Sequence, residues 1–110
     1  MRRGDIVTVS VSGDYGKPRP AVIVQSDHLT QAQLRSMIVS LITSHIENAP
    51  AFRLDLEAGS TTGLRVPSQL MVDKLVTVPV EKVGKRIGRL DDETLVRLNR
   101  TLAFVVGLAE

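Results

Sequence analysis

The 110-residue chain contains no cysteine and no tryptophan, and only one tyrosine, two phenylalanines and two histidines. Without cysteine there are no disulfides, thiolate metal sites or thiol nucleophiles. His28 and His45 are far apart in sequence and without finger-like or helical spacing, whereas a catalytic zinc site needs at least three protein ligands. A transition-metal centre is therefore not expected, and no cofactor is implied. Tyr15, Phe52 and Phe104 are too few for the row of exposed rings on which single strands stack. The longest apolar runs, such as 102–106, fall far short of a bilayer span, so no membrane segment is expected. Asp5 so near the start argues against a secretory signal, and a cytoplasmic location is expected.

What is present is ordinary for a folded domain: 43% hydrophobic and 24% charged residues, with a net charge of +2. One compact domain over residues 1–110 is the simplest organisation for this length. No repeat, low-complexity tract or linker interrupts it. The cations cluster locally at Arg2 and Arg3, at Lys17 and Arg19, and at Lys82, Lys85, Arg86 and Arg89, which allows an anionic partner without demanding one, small basic clusters being more often solvated faces.

Ile6, Val7 and Val9 lead into Ser12, Gly13 and Asp14, a strand followed by a turn. Residues 21–24 and 37–43 are continuous and rich in β-branched residues, as expected of strands buried on both faces. Thr30 with Gln33 has capping-box spacing, predicting a short helix over 31–35. Phe52, Leu54 and Leu56 alternate with charged residues in a half-exposed strand ending at Ala58 and Gly59. A loop at 63–67 precedes a β-prone stretch up to Pro79, and a brief strand over 85–90 is bracketed by Gly84 and Gly88. Asp91 caps a final helix with Asp92 and Glu93 in its first turn; Leu95, Leu98, Leu102 and Val105 share one face and Gly107 ends it. The pattern predicts an α+β, mostly β fold: five to seven short strands in a small antiparallel barrel closed by a C-terminal helix.

In the stretch GKPRPAVIVQSD, two prolines flank Arg19 at the mouth of a buried strand. Proline fixes φ, so the cation is held with little ordering entropy left to lose. A guanidinium presents a rigid fork of donors to phosphate oxygens and stays charged. The bland alternative is a stiff turn whose cations are solvated.

Five segments in order, RRGDIVTV, RPAVIVQSD, IVSLITS, GLRVPSQLMVDKLVTV and IGRLDDETLVRLNRTLAFVVGL, together resemble the MazF/PemK toxins of bacterial toxin–antitoxin systems along nearly the whole chain. The resemblance implies an SH3-like barrel, a homodimer, and metal-independent, sequence-specific cleavage of single-stranded RNA, silenced by a cognate antitoxin. It maps catalytic roles onto Arg19 and Thr43, and onto Asp73, an acidic position that some members use. Cleavage through the 2′-hydroxyl, giving 2′,3′-cyclic phosphate and 5′-hydroxyl ends, needs a proton acceptor, a donor to the leaving oxygen and charge stabilisation at phosphorus. Arg19 suits the last role, Thr43 orients the phosphate, and Asp73 or His45 could take the proton. Lys17, Ser44 and His45 are the accompanying RNA-binding candidates. The antitoxin is expected to fold an acidic or amphipathic segment over the RNA groove.

The sequence departs from the family where Met71 and Val76 replace arginines found in relatives, and where the loop before Arg19 is short. Two alternatives follow. One is a catalytically degenerate interaction partner. The other is a toxin of the CcdB type, similar in the local VQSD, that poisons DNA gyrase, although the chain lacks the C-terminal tryptophan such a contact often uses.

Overall fold

The computed structural model describes residues 1–13 and 16–109; Asp14, in the expected first turn, and Tyr15 lie outside them. Six strands and two helices follow in the order β1 (Asp5–Val9), β2 (Arg19–Ile23), α1 (Asp27–Gln31), β3 (Ser36–Thr43), β4 (Arg53–Leu56), β5 (Ser68–Pro79), β6 (Val83–Arg89) and α2 (Asp92–Val105), with one 3-10 turn at Val80–Lys82. The strands form one sheet in the order β4-β5-β3-β2-β1-β6, every neighbour antiparallel. This is the mostly β fold with a C-terminal helix that the sequence pattern predicts.

The β5 strand carries the main bend. Ser40 pairs with Leu75 but the next residue of β3, Leu41, pairs with Met71, so one step on β3 spans four on β5. Such extra residues bend a strand and increase its twist. Bent this way, one strand pairs with β3 along its length and still carries β4 on its first half.

Among the described residues no ladder joins the edge strands β4 and β6, so the sheet is barrel-like without closing through strand pairing. The turn after β4 bridges the gap instead. The Arg89 N–H donates to Thr61 O at 2.9 Å. A Cβ on Gly88 would lie 2.2 Å from the Thr62 carbonyl, and one on Gly63, which has φ +71°, would lie 1.9 Å from Ile87 O. Gly84 and Gly88 lie within β6 rather than bracketing a shorter strand: a Cβ on Gly84 would meet Thr8 Oγ1 of β1 at 2.5 Å, and at Gly88 only glycine lets the turn approach so closely.

The sheet buries apolar side chains on both faces. One cluster gathers Ile6, Val22, Ile42, Leu54, Leu70 and Val72 beneath α2, whose Leu98 is fully buried and whose Leu95, Leu102 and Val105 pack at its margin. The other gathers Val7, Val9, Ala21, Ile23, Met37, Val39 and Val78. Asp91 caps α2 by accepting from Thr94 N–H at 2.7 Å, and Gly107, at φ +82°, follows its end, both as expected.

Two local expectations are corrected. The first helix covers Asp27–Gln31, not 31–35: Ser26 Oγ accepts from His28 N–H, which starts the helix four residues early. Thr30 is thereby placed inside the helix, its hydroxyl donating back to Ser26 O at 3.3 Å and accepting from Gln25 Nε2 at 3.1 Å. Strand β4 begins at Arg53 rather than Phe52, whose N–H closes a turn on Ala49 O at 3.2 Å.

Candidate active site

Arg19 opens β2, directly after Pro18 and before Pro20. The register places it beside Val9 of β1, while Ala21 pairs with Leu41 of β3. Continuing that antiparallel register sets Arg19 next to Thr43, the last residue of β3. The guanidinium crosses to β3, where Nη2 donates to Ile42 O at 3.1 Å. That bond ties the guanidinium to the β3 backbone.

A recess of about 570 Å³ opens at this end of the sheet. Its cations are Lys17, Arg19 and Arg65, its hydroxyls Thr43, Ser44 and Ser68, and its apolar walls Pro18, Pro20, Leu64 and Val66. Among the described lining residues there is no carboxylate and no imidazole. The described lining thus offers cations and hydroxyl dipoles, groups that suit a phosphate.

Thr43 is fixed by its own loop: its Oγ1 accepts from the His45 N–H at 3.1 Å. This is the strand-ending bond that threonine often makes to nearby backbone. It leaves the hydroxyl proton to donate to another group, so the bond orients Thr43 without using it up.

Of the residues anticipated from sequence, the fold brings Lys17, Arg19, Thr43 and Ser44 into the recess. His45 and Asp73 are not among its lining residues. The His45 side chain is 78% exposed, with Nε2 3.5 Å from Glu47 Oε1. Asp73 lies in the offset of β5 and accepts from Lys74 Nζ at 2.8 Å.

Two features went unread in the sequence. One is the stretch 63–67, expected only as a loop, which supplies Leu64, Arg65 and Val66 to the recess beside Ser68, the first residue of β5. The other lies under the loop that follows Thr43. Gln69, 4% exposed, pairs in register with Thr43 and with Asp55. Its Oε1 accepts from Glu47 N–H at 3.0 Å and Arg53 Nη1 at 2.9 Å, and its Nε2 donates to Glu47 O and Asp55 Oδ1, both at 2.9 Å. Arg53 also donates to His45 O at 2.9 Å, while its Nε is buried without a partner. The Gln69–Arg53 pair thus clamps residues 45–47 immediately after Thr43 and Ser44. A glutamine at the start of a strand carries no sequence signal for this, because its partners come from two other segments, the loop after β3 and strand β4.

Comparison with known proteins agrees with the geometry. Residues 2–106 match the family model described as the PemK-like, MazF-like toxin of type II toxin–antitoxin systems. The chain is 41% identical over 110 residues, 99% of each chain, to a probable endoribonuclease MazF of Mycolicibacterium smegmatis. It is 30% identical over 116 residues, 98% of each chain, to endoribonuclease MazF9 of Mycobacterium tuberculosis. Its fold superposes with a TM-score of 0.83 on a mycobacterial endoribonuclease solved in complex with its cognate antitoxin, covering 100% of this chain and 98% of that one at 17% identity.

Proposed function

The chain belongs to the PemK-like, MazF-like toxins of type II toxin–antitoxin systems, and from that premise we propose that it is a metal-independent endoribonuclease that cuts single-stranded RNA in the recess around Arg19. The observation that carries this reading is the convergence of Lys17, Arg19 and Thr43 in one recess whose described lining is free of carboxylates. Both curated relatives are named as endoribonucleases, which favours cutting over the poisoning of gyrase.

The reaction transfers the phosphoryl bond within the RNA. The 2′-oxygen attacks the adjacent phosphorus and loses its proton, the bond to the 5′-oxygen breaks, and that oxygen gains a proton. The products are a 2′,3′-cyclic phosphate and a 5′-hydroxyl. Negative charge grows on the non-bridging oxygens, and a guanidinium tied to Ile42 O stabilises it with little reorganisation. The Thr43 hydroxyl donates to the same phosphate, while Lys17 and Ser44 hold the strand. His45 and Asp73 lie outside the recess, each beside a partner of its own, so the proton acceptor is assigned to neither.

The partners follow from the family. A second copy of the chain completes a homodimer, and a cognate antitoxin covers the RNA groove, as an antitoxin accompanies the mycobacterial neighbour. No helix among the described residues is long and apolar enough to cross a membrane, and we place the protein in the cytoplasm with its RNA substrate.

Incubation of the purified protein with a long labelled RNA in excess EDTA tests the reading. Discrete cuts bearing cyclic phosphate and 5′-hydroxyl ends are expected, and Arg19→Ala is expected to abolish them while leaving the circular dichroism spectrum unchanged. Cutting that survives in Arg19→Ala would remove Arg19 from the reaction. Intact RNA with the folded wild-type protein would favour a degenerate interaction partner, consistent with Met71 and Val76 standing where relatives carry arginines.

A further inference from the structure

We propose that Arg65 is a backbone-binding residue of this site, gripping an RNA phosphate next to the scissile one; the inference rests on the endoribonuclease reading above. Across the sheet, Arg19, Thr43 and Gln69 stand in a row on β2, β3 and β5. Two strand spacings put the first and last about 10 Å apart. Arg65 precedes Gln69 by four residues and lines the same recess, so it enters from the β5 end while Arg19 and Lys17 enter from β2. With Arg19 and Thr43 set on the scissile phosphate, Arg65, entering from the other side of the recess, is assigned to a neighbouring one.

The segment carrying Arg65 is built to hold a side chain still. On one side Leu64 is buried in the core, its N–H bonded to Thr62 Oγ1 at 3.2 Å and its carbonyl accepting from Gly59 N–H at 3.1 Å. On the other side the Ser68 hydroxyl donates to Val66 O at 2.9 Å. Gly63 fits directly against Ile87 O. Arg65 itself is exposed and, among the described residues, has no hydrogen bond or ion pair that would neutralise it. A cation anchored on both flanks and unneutralised, in a recess whose described lining has no carboxylate, fits an anion that arrives from outside. The contact is to backbone rather than to a base, so it adds affinity without choosing sequence.

The test is fluorescence anisotropy across a salt series with a short, labelled, random-sequence RNA that is fully 2′-O-methylated and so lacks the nucleophile. Wild type, Arg65→Ala and Arg65→Lys are compared, with the cut positions of each mapped on unmodified long RNA. Loss of one phosphate contact lowers the steepness of log affinity against log salt by about 0.7, which is about fivefold in affinity near 0.1 M salt. We expect that change in Arg65→Ala, substantial recovery in Arg65→Lys, and unchanged cut positions. An unchanged salt slope, or new cut positions with the slope intact, would overturn the proposal. An Arg65→Ala variant that binds and cuts RNA as well as wild type defeats the Arg65 assignment alone, whereas a wild type that neither binds nor cuts RNA defeats the endoribonuclease reading and this inference with it.

Discussion

Replacing Gln69 with leucine should cost about 3 kcal/mol of stability, although the two side chains are similar in size. Gln69 is 4% exposed and makes four hydrogen bonds. Two go to the backbone of Glu47 and contribute about 1 kcal/mol each. The bond from Arg53 involves a charged group and contributes about 1.5–3 kcal/mol. Arg53 has a side chain only 10% exposed and already carries an unpartnered Nε, so water compensates little of that loss. Asp55 is exposed and rehydrates, so its bond adds little. Against the resulting loss of about 4 kcal/mol stands about 1 kcal/mol from the added apolar burial of leucine. For 110 residues, a net 3 kcal/mol is a fall in Tm of about 13 °C. With no tryptophan, far-ultraviolet circular dichroism in urea and on heating is the suitable probe, at one fixed protein concentration so that self-association does not enter the comparison. Hydrogen exchange at Glu47 should accelerate. Gln69→Glu keeps the acceptor and the shape but sets a carboxylate against Asp55. It also loses both donations from Nε2 while keeping the acceptor that faces Arg53, so that variant should fall between wild type and Gln69→Leu in stability. A loss below about 1 kcal/mol in Gln69→Leu would mean that solvent satisfies the loop unaided, and the clamp would be refuted.

Two further perturbations test other parts of the framework. The carboxyl of Asp91 is held below its ordinary range by hydrogen bonds from the Thr94 side chain and backbone, with Arg89 adding a smaller favourable charge. A depressed folded value means stability that is present above the ordinary carboxylate range and lost as the pH falls through the folded value. Asparagine still caps the helix, so the stability difference between wild type and Asp91→Asn should be flat near neutrality and shrink on acidification, as urea titrations at several pH values would record. Gly88→Ala would drive a Cβ to 2.2 Å from the Thr62 carbonyl, a backbone group held by the adjoining turn. That overpacking should cost about 3 kcal/mol; an unchanged urea midpoint would show that the turn after β4 does not close the barrel tightly.

Local chemistry written in the chain determined most of the elements. β-Branched runs made β2, β3 and the second half of β5, and alternation made β4. Asp91, the leucine face and Gly107 set the last helix and its ends, because these signals act within a few residues of themselves. The paired prolines around Arg19 likewise marked a rigid cation from sequence alone. What failed locally was decided by competition: Ser26 captured the first helix before Thr30 could cap it, and Gly88 served a close backbone approach rather than a strand end. Only the tertiary structure decided which residues meet. The offset in β5 carries Asp73 away from the recess, and the turn after β4 brings Arg65 to it. Gln69, read only as part of a strand, lies under the loop beside Thr43. Each of these depends on strand register between segments distant in sequence, and register is fixed by how the whole core packs rather than by any one stretch of the chain.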